Sequence, residues 1–228
     1  MARYEIVLEG HEEVAQATLA FRFEKPAGFS YRAGQAGNFA LIDPPADPNS
    51  ARRVFSLASA PYEDDLVVAT RMREGSAFKR ALGALPPGAR LKLVGPVGTM
   101  TLHEDSTRAA VFIAGGIGIT PFRSIVNQAL HEGSVHRLYL LYSNRRREHA
   151  AFLSELEALA RAHERFRLRA VMTDTEGMVG AQTLASFTAD AAAPVYYVAG
   201  PPAMVAAMKT MLAAAGADDV ISEEFFGY

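Results

Sequence analysis

The chain has 228 residues, longer than one typical domain and sufficient for two that each bury a core. Its 23 basic and 25 acidic side chains leave a formal net charge of −2, so no global field favours nucleic acid or an anionic membrane. The absence of cysteine rules out a disulfide, a thiolate zinc site and a cysteine-ligated iron-sulfur cluster among these residues, and any iron-sulfur partner is expected to be another chain.

From Met1 to Gly10, Tyr4, Ile6 and Leu8 alternate with Arg3, Glu5 and Glu9, which reads as a half-buried strand and not a signal peptide. No later apolar run is long enough to span a bilayer, and the expected compartment is the cytoplasm. Short β-rich runs follow at Leu19 to Phe23, Asn38 to Ile42, Val54 to Ala58, Leu66 to Met72 and Leu91 to Val94. That spacing predicts an antiparallel sandwich or barrel. The proline-rich stretch Asp43 to Asn49 is expected to be an exposed loop, and Gly95-Pro96-Val97-Gly98 a tight turn closing the domain.

From about residue 109 the texture changes. Apolar strands at Ala109 to Ala114, Leu138 to Tyr142, Leu168 to Met172 and Val195 to Ala199 alternate with helical stretches at 121–132, 148–163, 181–189 and 201–215. This predicts a parallel sheet covered by helices, with the polar segment His103 to Arg108 as linker and domains at 1–104 and 109–228. The apolar spacing of 203–215 reads as core packing. The six histidines form no metal-ligand pattern, and most are expected to be solvated.

Two segments carry recognisable chemistry. Ala114-Gly115-Gly116-Ile117-Gly118-Ile119-Thr120-Pro121 follows an apolar strand and precedes a helix. Glycines there let backbone approach a pyrophosphate, and the helix N-terminus offers free N–H groups. Thr120 is expected as N-cap and Pro121 in the first turn. Arg53-Val54-Phe55-Ser56-Leu57-Ala58-Ser59 joins a guanidinium suited to phosphate, an aromatic ring suited to a flat heterocycle, and hydroxyls. Glu74-Gly75-Ser76-Ala77-Phe78 then opens a short helix reaching Leu82.

Together with Gly95-Pro96-Val97-Gly98 and Ala199-Gly200-Pro201-Pro202-Ala203-Met204, these motifs resemble the ferredoxin-NADP reductase superfamily, in that family's order and over nearly the whole chain. The resemblance implies an antiparallel Greek-key FAD-binding β-barrel followed by a Rossmann-like α/β domain that binds NADH or NADPH. It places Arg53 on the FAD pyrophosphate, Phe55 against the isoalloxazine and Ser56 near flavin N5. Val54 shares that strand. Gly75, Ser76 and Ala77 would hold the FAD phosphates, and Thr70-Arg71-Met72 would line the flavin edge. Gly116, Gly118, Thr120 and Pro121 would receive the nucleotide, with Thr120 near the reacting rings, and Gly200 and Pro201 would lie beside the nicotinamide. Relatives usually have tyrosine at the Phe55 position, and many have cysteine where this chain has Ala199.

The terminal Glu223-Glu224-Phe225-Phe226-Gly227-Tyr228 resembles the end of flavohaemoglobin-like relatives. It implies that Phe226 shields the flavin with Glu224 nearby; Tyr228 is the rival shield, and a hydrophobic final strand the simpler alternative. Ser143 and Arg145, in the run Ser143-Asn144-Arg145-Arg146-Arg147, could meet the nucleotide and favour NADPH, whereas Asp174 would repel a 2′-phosphate, leaving the choice open. The expected activity is electron transfer from NADH or NADPH through FAD to a separate carrier: a ferredoxin, flavodoxin or oxygenase component. A reductase of free flavin and a non-catalytic NAD(P)-sensing module are the alternatives.

Overall fold

The computed structural model describes residues 1–43 and 51–226, so the expected loop beyond Asp43 and the terminal Gly227 and Tyr228 lie outside the described residues. The first half forms a six-stranded antiparallel sheet from β1 (Ala2–Ala15), β2 (Thr18–Glu24), β3 (Ala36–Leu41), β4 (Arg52–Ser56), β5 (Asp65–Arg71) and β6 (Arg90–Val97), in the order β4-β3-β6-β1-β2-β5. The sheet curls into a barrel. Just past β4, the Ala58 N–H donates to Val67 O on β5 at 2.7 Å, tying the two end strands together. Period-two patterning buries Ile6, Leu8, Phe21, Phe23, Phe39, Leu91 and Leu93 in the interior. Each such side chain contributes about 1.5–3 kcal/mol by leaving water. One short helix, α1 (Ala77–Gly83), packs Phe78 and Leu82 into the barrel core.

Residues 95–97 do not form the expected tight turn; they are the end of β6. The β3–β6 register shifts between Ala36↔Val97 and Asn38↔Val94, and Pro96 falls in that irregularity. A proline is tolerated there because the bulge removes the ladder bond it cannot make.

The second half is a five-stranded parallel sheet in the order β11-β10-β7-β8-β9, from β7 (Ala110–Gly115), β8 (Leu138–Asn144), β9 (Phe166–Met172), β10 (Val195–Gly200) and β11 (Val220–Glu224). Helices α2 (Ile119–His131) and α3 (Leu153–Ala162) cover one face, burying Phe122, Ile125, Val126 and Leu156 against Ala110, Phe112 and Leu140. On the other face α5 (Ala181–Phe187) and α6 (Pro202–Ala214) bury Leu184, Val205, Met208 and Leu212 against Val111, Ile113 and Val198. A single helical turn, α4 (Thr173–Glu176), follows β9.

Helix α2 starts two residues earlier than the pattern predicts, so Gly118 is its N-cap and Thr120 lies inside the first turn. The expected helix at 148–163 begins only at Leu153, after a short 3-10 turn at Arg147–His149. Of the histidines, His136 is buried and His103 is half-buried, its Nδ1 2.8 Å from the Tyr197 hydroxyl and its Nε2 3.2 Å from Arg108 O. No helix among the described residues is long and apolar enough to cross a membrane.

Candidate functional site

The loop after β7 brings the C-terminal edge of the parallel sheet against the barrel. In this order of strands the chain leaves β7 for β8 on one side and returns to β10 on the other, creating a crevice at the strand ends. Gly116 turns with φ +54 into the 3-10 turn Gly116–Gly118, and α2 follows directly.

A cavity of about 680 Å³ occupies the seam, walled by Arg53, Val54, Phe55, Ser56, Ala69, Thr70, Arg71, Arg73, Gly75, Ser76 and Lys79 of the barrel, and closed by Ile117 and residues 223–226 of the second half. Its volume suits a dinucleotide-sized ligand. The cavity is cationic at one end. Lys79 anchors its ammonium on Arg71 O at 2.9 Å; partial burial and the neighbouring Arg73 and Arg53 lower its pKa to about 8. The Arg53 guanidinium lies 5.7 Å above the Phe78 ring and donates to Arg52 O at 2.8 Å. Ser76 is the N-cap of α1, its hydroxyl accepting from the Lys79 N–H at 3.4 Å. Such crowded cations are stabilised by a bound anion.

Also on the cavity wall, the Ser56 hydroxyl is buried with no hydrogen-bond partner among the described residues, as a group meeting a polar ligand atom would be. Phe55 is only 9% exposed and its ring packs between Phe39 and Phe78, at 5.8 and 5.9 Å, so the barrel core takes most of its surface. Phe226, 77% exposed, stands on the opposite wall. Burial raises the Glu223 carboxyl above the usual range. The terminal segment is a strand as well as a wall: β11 pairs with β10, and Phe225 N–H donates to Gly200 O at 2.9 Å.

A second cavity of about 280 Å³ shares Arg71 and Ile117 with the first and runs over the strand ends. Gly115, Gly116, Ser143, Asn144, Arg145, Thr173, Met178, Pro201 and Met204 line it, with Gln16 and Thr18 from the barrel. At its rim Asp174 holds both neighbouring arginines, Oδ1 accepting from Arg145 Nε at 3.1 Å and Oδ2 from Arg146 Nε at 2.8 Å. Those contacts, Arg146 first, hold the Asp174 carboxyl below the usual carboxylate range against the opposing effect of burial.

The remaining expected residues sit beside the cavities, outside their walls. Thr120 is buried and its hydroxyl donates to Ile117 O at 3.1 Å, while Pro121 is sealed in the helix start. A Cβ at Gly118 would lie 2.2 Å from Ala199 O, so this glycine lets the loop pass over β10. Gly200 is likewise packed against Gly115, 3.1 Å from its Cα to a notional Cβ. Met72 belongs to the barrel core, and Ala77 is the first residue of α1. Sequence reasoning missed Lys79, Arg73 and Glu223. The spacing of Ser76 and Lys79 on one helical turn was a usable signal for the first, and Glu223 opens the terminal motif; nothing local marks Arg73.

Residues 112–210 match the oxidoreductase NAD-binding domain family. The chain is 39% identical over 150 residues to ferredoxin--NADP reductase B of Sorangium cellulosum, covering 64% of this chain and 59% of that one. It is 30% identical over 195 residues to the ferredoxin reductase component of 3-ketosteroid-9-alpha-monooxygenase of Mycolicibacterium smegmatis, covering 83% of this chain and 55% of that one. The chain thus spans a little over half the length of these relatives. Its fold matches the crystal structure of a ferredoxin NADP+ reductase from Neisseria gonorrhoeae with bound FAD and NADP, at a TM-score of 0.83 and 19% identity over 98% of this chain and 99% of the other. By motif order, sequence similarity and the pairing of an antiparallel barrel with a parallel nucleotide-binding sheet, the chain belongs to the ferredoxin-NADP reductase superfamily.

Proposed function

We propose that this chain is an FAD-bearing reductase unit that takes electrons from NADH and delivers them to a separate one-electron carrier, a ferredoxin, a flavodoxin or an oxygenase component. The observation that carries this reading is the pair of adjoining cavities, one cationic and barrel-walled, the other at the ends of the parallel strands, meeting at Ile117 and Arg71. FAD fits the first. Arg53 and Lys79 would pair with its diphosphate, Ser76 and Gly75 would lie beside it, and the unpartnered Ser56 hydroxyl would meet the ring. When bound, FAD supplies the redox chemistry, accepting a two-electron equivalent and releasing single electrons. The chain's own residues bind, orient and shield. Gly116 and Pro201 line the nucleotide cavity beside the barrel, and Phe226, on the wall of the first cavity, would shield the flavin and would have to give way to a nicotinamide.

NADH is favoured over NADPH because Asp174 already engages Arg145 and Arg146, so a 2′-phosphate would meet a carboxylate and two arginines turned toward it. A separate carrier is supported by the matched oxygenase reductase component. The test is anaerobic mixing of the purified yellow protein with each nucleotide, followed by absorbance. Rapid bleaching by NADH, slower by NADPH, is expected. Protein that purifies without flavin yet reduces added flavin would instead mark a free-flavin reductase.

A further inference from the structure

Arg123 lies on α2, five residues beyond Gly118, and points back across the seam with a side chain only 13% exposed. Its Nη1 donates to Ala58 O at 2.7 Å and to Glu63 Oε1 at 3.1 Å, both in the barrel half. Its Nε donates to Glu155 Oε2 at 3.0 Å on α3, and its guanidinium sits 5.1 Å over the Phe152 ring. The two acids are themselves held: Glu63 accepts from the Ala60 N–H at 2.6 Å, and Glu155 from Asn127 Nδ2 at 2.9 Å. The neighbouring Ser124 hydroxyl donates to Ser59 O at 2.6 Å and accepts from the Gly34 N–H at 3.3 Å.

None of these residues lines either cavity. A largely buried charge cluster carries a desolvation cost that offsets much of its attraction, so its net stabilising effect is small even though removing one partner strands the other charges. What it fixes is specific. Ala58 is two residues past Ser56 on the strand that faces the flavin cavity, and α2 begins at the loop that lines the nucleotide cavity. We propose that Arg123 is a positioning residue that clamps the end of β4 onto α2 and thereby sets the separation of the flavin and nicotinamide rings. This rests on the functional reading above. Two rings held by different halves of a chain react only at near-contact distance, and a displacement of about 1 Å costs on the order of a hundredfold in rate.

The test uses Arg123→Lys and Arg123→Met in the full chain carrying its flavin. Lysine keeps the charge but presents one point donor group where arginine spans Ala58, Glu63 and Glu155 as a fork. Expected are wild-type flavin content and NADH affinity, faster amide hydrogen exchange at Ala58 and Ala60, and a limiting rate of flavin reduction lower by on the order of ten- to a hundredfold, with lysine restoring part of it. A lost melting temperature with an unchanged reduction rate would overturn the role, leaving Arg123 a simple brace. Should Arg123→Met fail to fold, Arg123→Lys and Glu63→Gln carry the same comparison, and wild-type rates in both would overturn it. If neither nucleotide reduces the wild-type flavin, the functional reading itself falls and this role with it.

Discussion

Raising the pH is expected to loosen the hold on FAD through one side chain. Lys79 sits partly buried beside Arg73 and Arg53, and its pKa in the flavin-free protein is lowered to about 8 from an ordinary 10.5. A diphosphate placed among these three cations would reverse the imbalance and raise the Lys79 pKa again. The protonated form is therefore the one that binds. Below about pH 8 the free protein already carries that proton; above it, binding must recover one from solution. The FAD dissociation constant should then rise with pH by up to about tenfold per unit, starting near pH 8. The flavin-free fold should respond with the opposite sign. Between about 8 and 10.5 the unfolded chain holds the proton and the folded chain has lost it, so stability increases with pH across that window. Titration of flavin-free protein with FAD, followed by flavin fluorescence from about pH 7 to about pH 10, measures the first effect. Lys79→Met should weaken binding at neutral pH and flatten the profile. A wild-type affinity independent of pH, or the same slope in Lys79→Met, would refute the assignment.

Three further outcomes follow from the geometry. Asp174→Ser frees Arg145 and Arg146 and should raise the NADPH-to-NADH ratio of kcat/KM about tenfold, the worth of one charge-assisted hydrogen bond; an unchanged ratio would place nucleotide choice elsewhere. Gly118→Ala puts a methyl 2.2 Å from Ala199 O, and chemical denaturation of the flavin-free protein should show a loss of about 1–3 kcal/mol, whereas wild-type stability would mean the loop can lift without cost. Phe226→Ser removes a ring that is 77% exposed, so stability should stay within about 0.5 kcal/mol while NADH binds more tightly and turnover slows; weaker NADH binding would remove Phe226 from the shielding role.

Much of the architecture was legible in local pattern. Period-two alternation from Tyr4 to Leu8, and apolar runs separated by helix-length stretches after residue 109, each report a backbone's immediate surroundings, and both appear in the expected halves. The Arg53-Val54-Phe55-Ser56 run and Gly116 were visible for the same reason: short motifs whose chemistry lies in adjacent residues, and the structure places them on two adjoining cavities.

Contacts between residues distant in sequence were decided only by folding. Gly118 reads as a ligand-facing glycine until β10, some eighty residues later in the chain, is seen beneath it, and Thr120 reads as a cap until the helix is found to start before it. Whether Asp174 repels a ligand or restrains arginines depends on β8 and β9 ending side by side. Lys79 acquires its lowered pKa first from burial and then from Arg73 and Arg53, and Arg123 its four acceptor atoms from two halves of the molecule. Periodicity records which side of an element faces the interior, but the strength of an electrostatic contact depends on distance and burial, and those exist only once both halves are packed.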